Sequence, residues 1–149
     1  FPYTSLFRSR ILGLPLIIHS RDADADMASI LTREHAAGAF SCVMHCYTSG
    51  PELARTALDL GFYLSMSGIA AFPRSTEIRE IFAAAPRNRI LIETDAPYLA
   101  PPPRRGKRNE PAYVAHTARA GAEALGMAAA EFADLTTANF DRLFSKAAA

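Results

Sequence analysis

The chain has 149 residues, half of them hydrophobic, with a formal net charge of +1. That apolar share excludes a disordered segment, and only 8 Gly and 10 Pro exclude collagen-like or linker composition. No apolar run approaches the roughly 18 residues of a membrane span, and the near-zero charge excludes a globally basic nucleic-acid binder, so any attraction for polyanions is local.

Phe1-Pro2-Tyr3 lacks the basic and apolar regions of a signal peptide, so the chain reads as starting partway through a larger protein. Phe1 to Leu12 read as the end of a helix. Leu16–Ile18 is the first of four short apolar runs; Phe40–Met44, Phe62–Met66 and Ile90–Ile92 follow. Short continuous runs of this kind predict strands buried on both faces of a parallel sheet. Between the first two, Met27, Ile30, Leu31 and Glu34 keep helical spacing, with Asp22 as the expected N-cap. Pro51 opens the next helix and Gly61 closes it. Ile78, Ile81 and Phe82 mark a third, ending near Pro86. A proline-rich loop, Ala96 to Glu110, comes after the last strand. Pro111 then opens a helix through Leu125, with Asn109 as its cap. Ala128 to Leu135 and a last piece holding Leu143 and Phe144, capped by Thr136 or Thr137, complete the chain.

Alternating strands and helices predict an α/β fold with parallel strands and helical crossovers. No boundary divides the chain into two domains. Four strands make an open doubly wound sheet or half of a (β/α)8 barrel, whose edges need cover. Cys42 and Cys46, four apart in an apolar run, lie too far apart on a strand for a disulfide. They read as small buried thiols, with Cys46 a weak candidate ligand, and reduced thiols fit a cytoplasmic protein.

The polar residues at the strand ends carry the chemistry. His19, His45 and Asp95 each follow an apolar run, at the C-terminal sheet edge where parallel α/β folds build their sites. Imidazole and carboxylate there can converge on one divalent cation. Glu93 shares a strand face with Asp95, one layer deeper, and either orients a metal-bound His or pairs with an Arg. Asp22, Asp24 and Asp26 do not form a calcium loop, because Met27 and Arg33 stand where Gly and Glu are required; Asp22 reads instead as a helix cap or as a hydrogen-bond partner of a ligand His. Ser65, Ser67 and Gly68 either leave room for a substrate or fill a tapering core. Arg104-Arg105-Gly106-Lys107-Arg108 is either a solvated loop or a phosphate-attracting border of the same mouth. His35 and His116 lie away from the strand ends and receive no role.

Four separated stretches, His19-Ser20-Arg21-Asp22-Ala23, His45-Cys46-Tyr47-Thr48-Ser49-Gly50, Glu93-Thr94-Asp95-Ala96-Pro97-Tyr98-Leu99 and Arg108-Asn109-Glu110-Pro111, resemble the TatD-type metal-dependent deoxyribonucleases. Thr136-Thr137-Ala138-Asn139 fits the same family. The resemblance runs from about Gly13 onward. It implies parallel β/α units forming the C-terminal part of a TIM-like (β/α)8 barrel, with residues 1–149 a partial domain lacking its N-terminal part. It implies divalent ions (Mg, Mn or Zn), two per complete site, with His19 and His45 ligating one and Asp95 the other. Asp95 is also implied as the catalytic residue that orients or deprotonates the attacking water. DNA is the implied substrate, with Arg108 and Asn109 contacting it. The family's N-terminal His-x-His and bridging Glu have no counterpart here, so the chain offers three of six expected ligand positions. Two other readings stay open. One is a metal hydrolase of a small ester or amide. The other is a non-catalytic half-barrel that self-associates through exposed edges.

Overall fold

The computed structural model describes residues 4–147. Helix α1 (Thr4–Leu12) leads into β1 (Leu16–Ile18), then α2 (Asp24–Ala37), β2 (Cys42–Met44), α3 (Pro51–Asp59), β3 (Tyr63–Met66), α4 (Thr76–Ala84), β4 (Ile90–Ile92), α5 (Val114–Leu125) and α6 (Ala129–Leu143). The four strands are the four apolar runs, the second and third trimmed at their N-terminal ends, and they form one parallel sheet in the order β1-β2-β3-β4. Ile17 sits opposite Val43, Val43 opposite Tyr63, and Ser65 opposite Leu91. The α/β architecture with sequential parallel neighbours is that of part of a TIM-like barrel.

Alternation along the strands divides the apolar residues into two cores. Cys42, Met44, Leu64, Met66 and Ile90 face the helices and join Leu31, Leu53, Phe62, Phe82 and Phe132. Val43, Tyr63 and Leu91 face the concave side, where Leu143 and Phe144 from the end of α6 partly cover them. Ile17 on the edge strand β1 stays 65 % exposed on that side. The helices are held by small residues at their crossings. A Cβ on Gly121 of α5 would stand 2.6 Å from the Phe132 ring of α6.

Three local expectations are corrected. Asp22 does not cap α2: it has φ 53°, and the residue before the helix is Ala23, without a side-chain cap. Asn109 does not cap α5, which begins only after a 3-10 turn at Pro111–Tyr113. Thr136 and Thr137 start no helix, because α6 runs unbroken through them. The Thr136 hydroxyl donates back to the Phe132 and Ala133 carbonyls, at 3.0 and 3.1 Å, as a mid-helix threonine does.

Candidate metal centre

The alternation that turns Ile17, Val43, Tyr63 and Leu91 to the concave face carries on past the strand ends. It puts His19, His45, Ser65 and Glu93 on the same side as those residues. The ladder itself extends one step further: the His45 N–H donates to Ile18 O at 2.8 Å and the Glu93 N–H to Met66 O at 2.9 Å. Each side chain is thus aimed by a hydrogen-bonded backbone. Beyond them the chain turns sharply, with Cys46 at φ 46° and Asp95 at φ 56°. Left-handed conformation at non-glycine residues is uncommon and gathers at functional sites.

His45, Glu93 and Asp95 come together, each offering a ligand atom within 4.8 Å of the other two. His45 Nε2 lies 3.4 Å from Asp95 Oδ1, and Nδ1 lies 2.8 Å from Glu93 Oε1. The other Glu93 oxygen accepts the Cys46 N–H at 3.0 Å. Glu93 therefore grips the ring of His45 and the turn behind it, and no arginine pairs with it among the described residues. The His45 and His19 rings are 5.7 Å apart, so His19 borders the cluster without joining it.

The donor set fits a cation. Glu93 Oε1 is buried with no hydrogen-bond donor aligned on it, although Nδ1 is close. A carboxylate oxygen removed from water needs positive charge nearby. A neutral His45 with its proton on Nδ1 would turn an N–H dipole towards that oxygen and leave the Nε2 lone pair facing Asp95. Imidazole nitrogen beside carboxylate oxygen suits zinc, manganese and similar ions. A partly apolar cleft of about 350 Å³ opens below, lined by Ile17, Val43, Leu91 and Phe140 and reaching His45 and Glu93.

Surrounding residues hold the cluster in ways the sequence did not announce. Asp24, rather than Asp22, accepts the Gly50 N–H at 2.8 Å, and the Tyr47 hydroxyl donates to Gly50 O at 2.6 Å. The chain leaving His19 is thereby tied to the chain leaving His45. Asn109 is 3 % exposed. Its amide donates to Thr94 O at 2.8 Å and Tyr98 O at 2.6 Å, and its side-chain oxygen accepts the Glu110 N–H at 2.9 Å. The amide expected to touch substrate is thus consumed in bracing the loop on both sides of Asp95. Arg108, its neighbour, is exposed.

Gly68 makes room for protein rather than ligand: a Cβ there would stand 2.3 Å from the Leu99 carbonyl oxygen. Cys46 does not join the cluster, since its thiol donates to Ser67 Oγ at 3.3 Å. Burial pushes that thiol above its ordinary pKa, the Ser67 contact offsets part of the rise, and the Glu93 and Asp95 carboxylates add to it. Both cysteines are free and buried. No helix among the described residues is long and apolar enough to cross a membrane.

Parallel β/α units with a histidine–carboxylate cluster at the C-terminal strand ends are the arrangement of part of a TIM-like barrel with a candidate metal centre. Residues 5–145 match the family model for TatD related DNase, and the chain belongs to that family. It is 44 % identical over 144 residues to the metal-dependent hydrolase YabD of Bacillus subtilis, covering 93 % of this chain and 56 % of that one. It is 47 % identical over 135 residues to the metal-dependent hydrolase YcfH of Escherichia coli K12, covering 91 % and 51 %. A Cronobacter sakazakii protein named 3'-5' ssDNA/RNA exonuclease TatD is 36 % identical over 142 residues, with 91 % and 53 % covered. Among solved structures, YJJV, a TatD homologue from Escherichia coli K12, superposes with a TM-score of 0.84 at 27 % identity, over 94 % of this chain and 53 % of its own. The chain spans about half the length of the curated relatives it matches.

Proposed function

We infer that residues 1–149 are the C-terminal part of a nuclease domain that hydrolyses DNA phosphodiester bonds. The observation that carries this reading is the convergence of His45, Glu93 and Asp95 at the C-terminal strand ends. His45, through Nε2, and His19 would hold one divalent ion, which suits Zn or Mn, and Asp95 a second, which suits Mg or Mn. Bound ions would activate water and stabilise the leaving oxygen of a phosphodiester. Glu93 fixes the tautomer and tilt of His45 through Nδ1. Asp95 orients the attacking water and takes its proton on a carboxylate oxygen as the water oxygen bonds to phosphorus and the sugar oxygen departs. Arg108 pairs with a backbone phosphate, and Asn109 positions Asp95. With three of the ligand positions expected for two ions, the chain by itself holds a partial site.

The test is Mn²⁺ or Zn²⁺ titration of the chain by calorimetry, alongside cleavage of a labelled oligonucleotide. Binding of fewer than two ions per chain is expected, and it is lost in Asp95→Asn together with any cleavage. Tight binding of two ions by the monomer, or cleavage unchanged in Asp95→Asn, would refute the reading. If the substrate is instead a small ester or amide, neutralising Arg104, Arg105, Lys107 and Arg108 leaves hydrolysis unchanged.

A second reading is supported by the sheet edges. Among the described residues β1 and β4 each have one unpaired side, and Ile17 is exposed beside one of them. Unpaired parallel edges invite pairing, so we also propose self-association through them. A monomer by sedimentation at micromolar concentration would exclude it.

A further inference from the structure

His19 is placed differently from its neighbours at the strand ends. His45 and Glu93 stand on backbone that the sheet still holds. Among the described residues the β1–β2 ladder ends at the Ile18 carbonyl, which accepts the His45 N–H, so His19 lies one residue past the last rung. Among those residues β1 also has a neighbouring strand on one side alone. The position of His19 therefore falls to the short connection into α2, where Asp22 turns at φ 53°. Its ring nonetheless lies 5.7 Å from that of His45. Two imidazoles on one tetrahedral ion, with metal–nitrogen bonds of about 2.0–2.1 Å, have ring centres about 5 Å apart. The observed span is close to that.

Asp24, the first residue of α2, moors that connection. Its Oδ2 accepts the Gly50 N–H at 2.8 Å, reaching from the chain after β1 to the chain after β2. A carboxylate on a backbone N–H makes one of the stronger kinds of hydrogen bond. A Cβ on Gly50 would stand 3.3 Å from the same oxygen, so the carboxylate lies close against a bare Cα. Gly50 is in turn fixed from the core. Its carbonyl accepts the Tyr47 hydroxyl at 2.6 Å and the Ala54 N–H at 3.3 Å. Tyr47 is 3 % exposed, its N–H donates to Ser65 O at 3.0 Å, and its ring meets Phe82 edge-on. The segment carrying His19 is thus tied, through one glycine, to a tyrosine rooted between the sheet and α4.

We propose that Asp24 is a positioning residue: through Gly50 and Tyr47 it sets the distance between the His19 and His45 rings, at the span two imidazoles need to share one divalent ion. The shared ion rests on the reading of both histidines as ligands; the latch that spaces them goes beyond it. Asp24 lies outside the His45–Glu93–Asp95 cluster and acts on His19 through the backbone. Metal sites need their ligands held within about 0.5 Å of the productive geometry, so slack in the connection after β1 is enough to uncouple His19 from His45.

Two readouts on the full chain test it. In EDTA, proton NMR is expected to show a nuclear Overhauser contact between the His19 and His45 rings. Co²⁺ titration followed by visible absorption then reads affinity and the ligand set together. Asp24→Ala should lose the ring contact and weaken Co²⁺ about tenfold, the lower end of the usual loss for an outer partner of a metal site. Asp24→Asn keeps an acceptor oxygen for the Gly50 N–H and should restore the contact and most of the affinity. Gly50→Ala presses on the carboxylate from the other side and should loosen the pair even if Asp24→Ala fails to fold. Asp26→Ala removes the other acidic residue from the first turn of α2, where it is exposed, and should change neither readout. The proposal is overturned if the wild type lacks the ring contact, if the contact survives Asp24→Ala, if Asp24→Asn rescues nothing, or if Asp26→Ala does the same damage. His19→Ala separates the two ideas. Unchanged Co²⁺ affinity in His19→Ala, with the ring contact still lost in Asp24→Ala, sinks the ligand reading and supports the latch. Weakened Co²⁺ in His19→Ala, with the contact intact in Asp24→Ala, does the reverse.

Discussion

Replacing Asn109 tests how the site is held. The side chain makes three hydrogen bonds inside a nearly closed loop, two donated to carbonyls and one accepted from an N–H. Each is worth roughly 1 kcal/mol net, and a buried group left unpaired costs 1–3 kcal/mol. Asn109→Ala should therefore destabilise the chain by about 3 kcal/mol, which for a domain of this size lowers Tm by about 6–12 °C. Asn109→Asp should be worse, because a carboxylate then faces the Thr94 and Tyr98 oxygens that the amide donated to. Asp95 sits between those two residues, so both variants should also lose much of the Tm rise that Mn²⁺ produces in the wild type. Thermal unfolding by circular dichroism, with and without Mn²⁺, reads both effects. If Asn109→Ala melts within 1 °C of wild type and keeps its Mn²⁺ shift, the bracing argument is wrong. If Asn109→Asp is the more stable of the two, the orientation of the amide is wrong.

Glu93→Gln keeps the shape but removes the negative partner of His45. Metal affinity by calorimetry should fall 10–100-fold, the usual effect of losing such a supporting carboxylate. Gly68→Ala forces a methyl against the Leu99 carbonyl and should cost about 1–3 kcal/mol in urea unfolding, with the Asp95 loop displaced. Burial pushes the Cys42 thiol up to about 12 from an ordinary value near 9. The unfolded chain therefore loses this proton first. Stability is at its full value below pH 9 and declines as pH rises from 9 towards 12, by at most about 1.4 kcal/mol per pH unit for this one group. The Tyr47 hydroxyl, pushed up by burial and by Asp24, acts in the same direction. A Tm unchanged between pH 8.5 and 11 would contradict both. Cys42 should also resist alkylation at pH 8 until the chain is unfolded.

The central strands were legible because they are buried on both faces and so show as uninterrupted apolar runs, as Cys42-Val43-Met44 does, whereas β1, read the same way, leaves Ile17 exposed at the edge. The convergence of His45 and Asp95 was legible for a related reason: parallel strands carry their C-terminal ends to one edge, and a period of two decides the face. What escaped was set by partners far away in sequence. Asn109 looked like a helix cap because the carbonyls it serves, at Thr94 and Tyr98, lie 15 and 11 residues earlier. Asp24 was given no role because the N–H it accepts, on Gly50, lies 26 residues later. Thr136 read as a helix start because local pattern cannot tell a capping hydroxyl from one bonded back along its own helix.

Asn139 of α6 is 1 % exposed and donates 2.8 Å hydrogen bonds to the carbonyls of Arg87 and Ile90, on either side of the entry to β4. Because the strands lie side by side in the order in which they are made, each β/α unit emerging from a ribosome can add to the edge of the one before. The fourth strand is different. Its entry is latched by a residue synthesised about 50 positions later, so vectorial growth from the N-terminus ends in a step that runs backwards along the chain. A nascent chain stalled before Asn139 should have β1, β2 and β3 settled and β4 still open to protease.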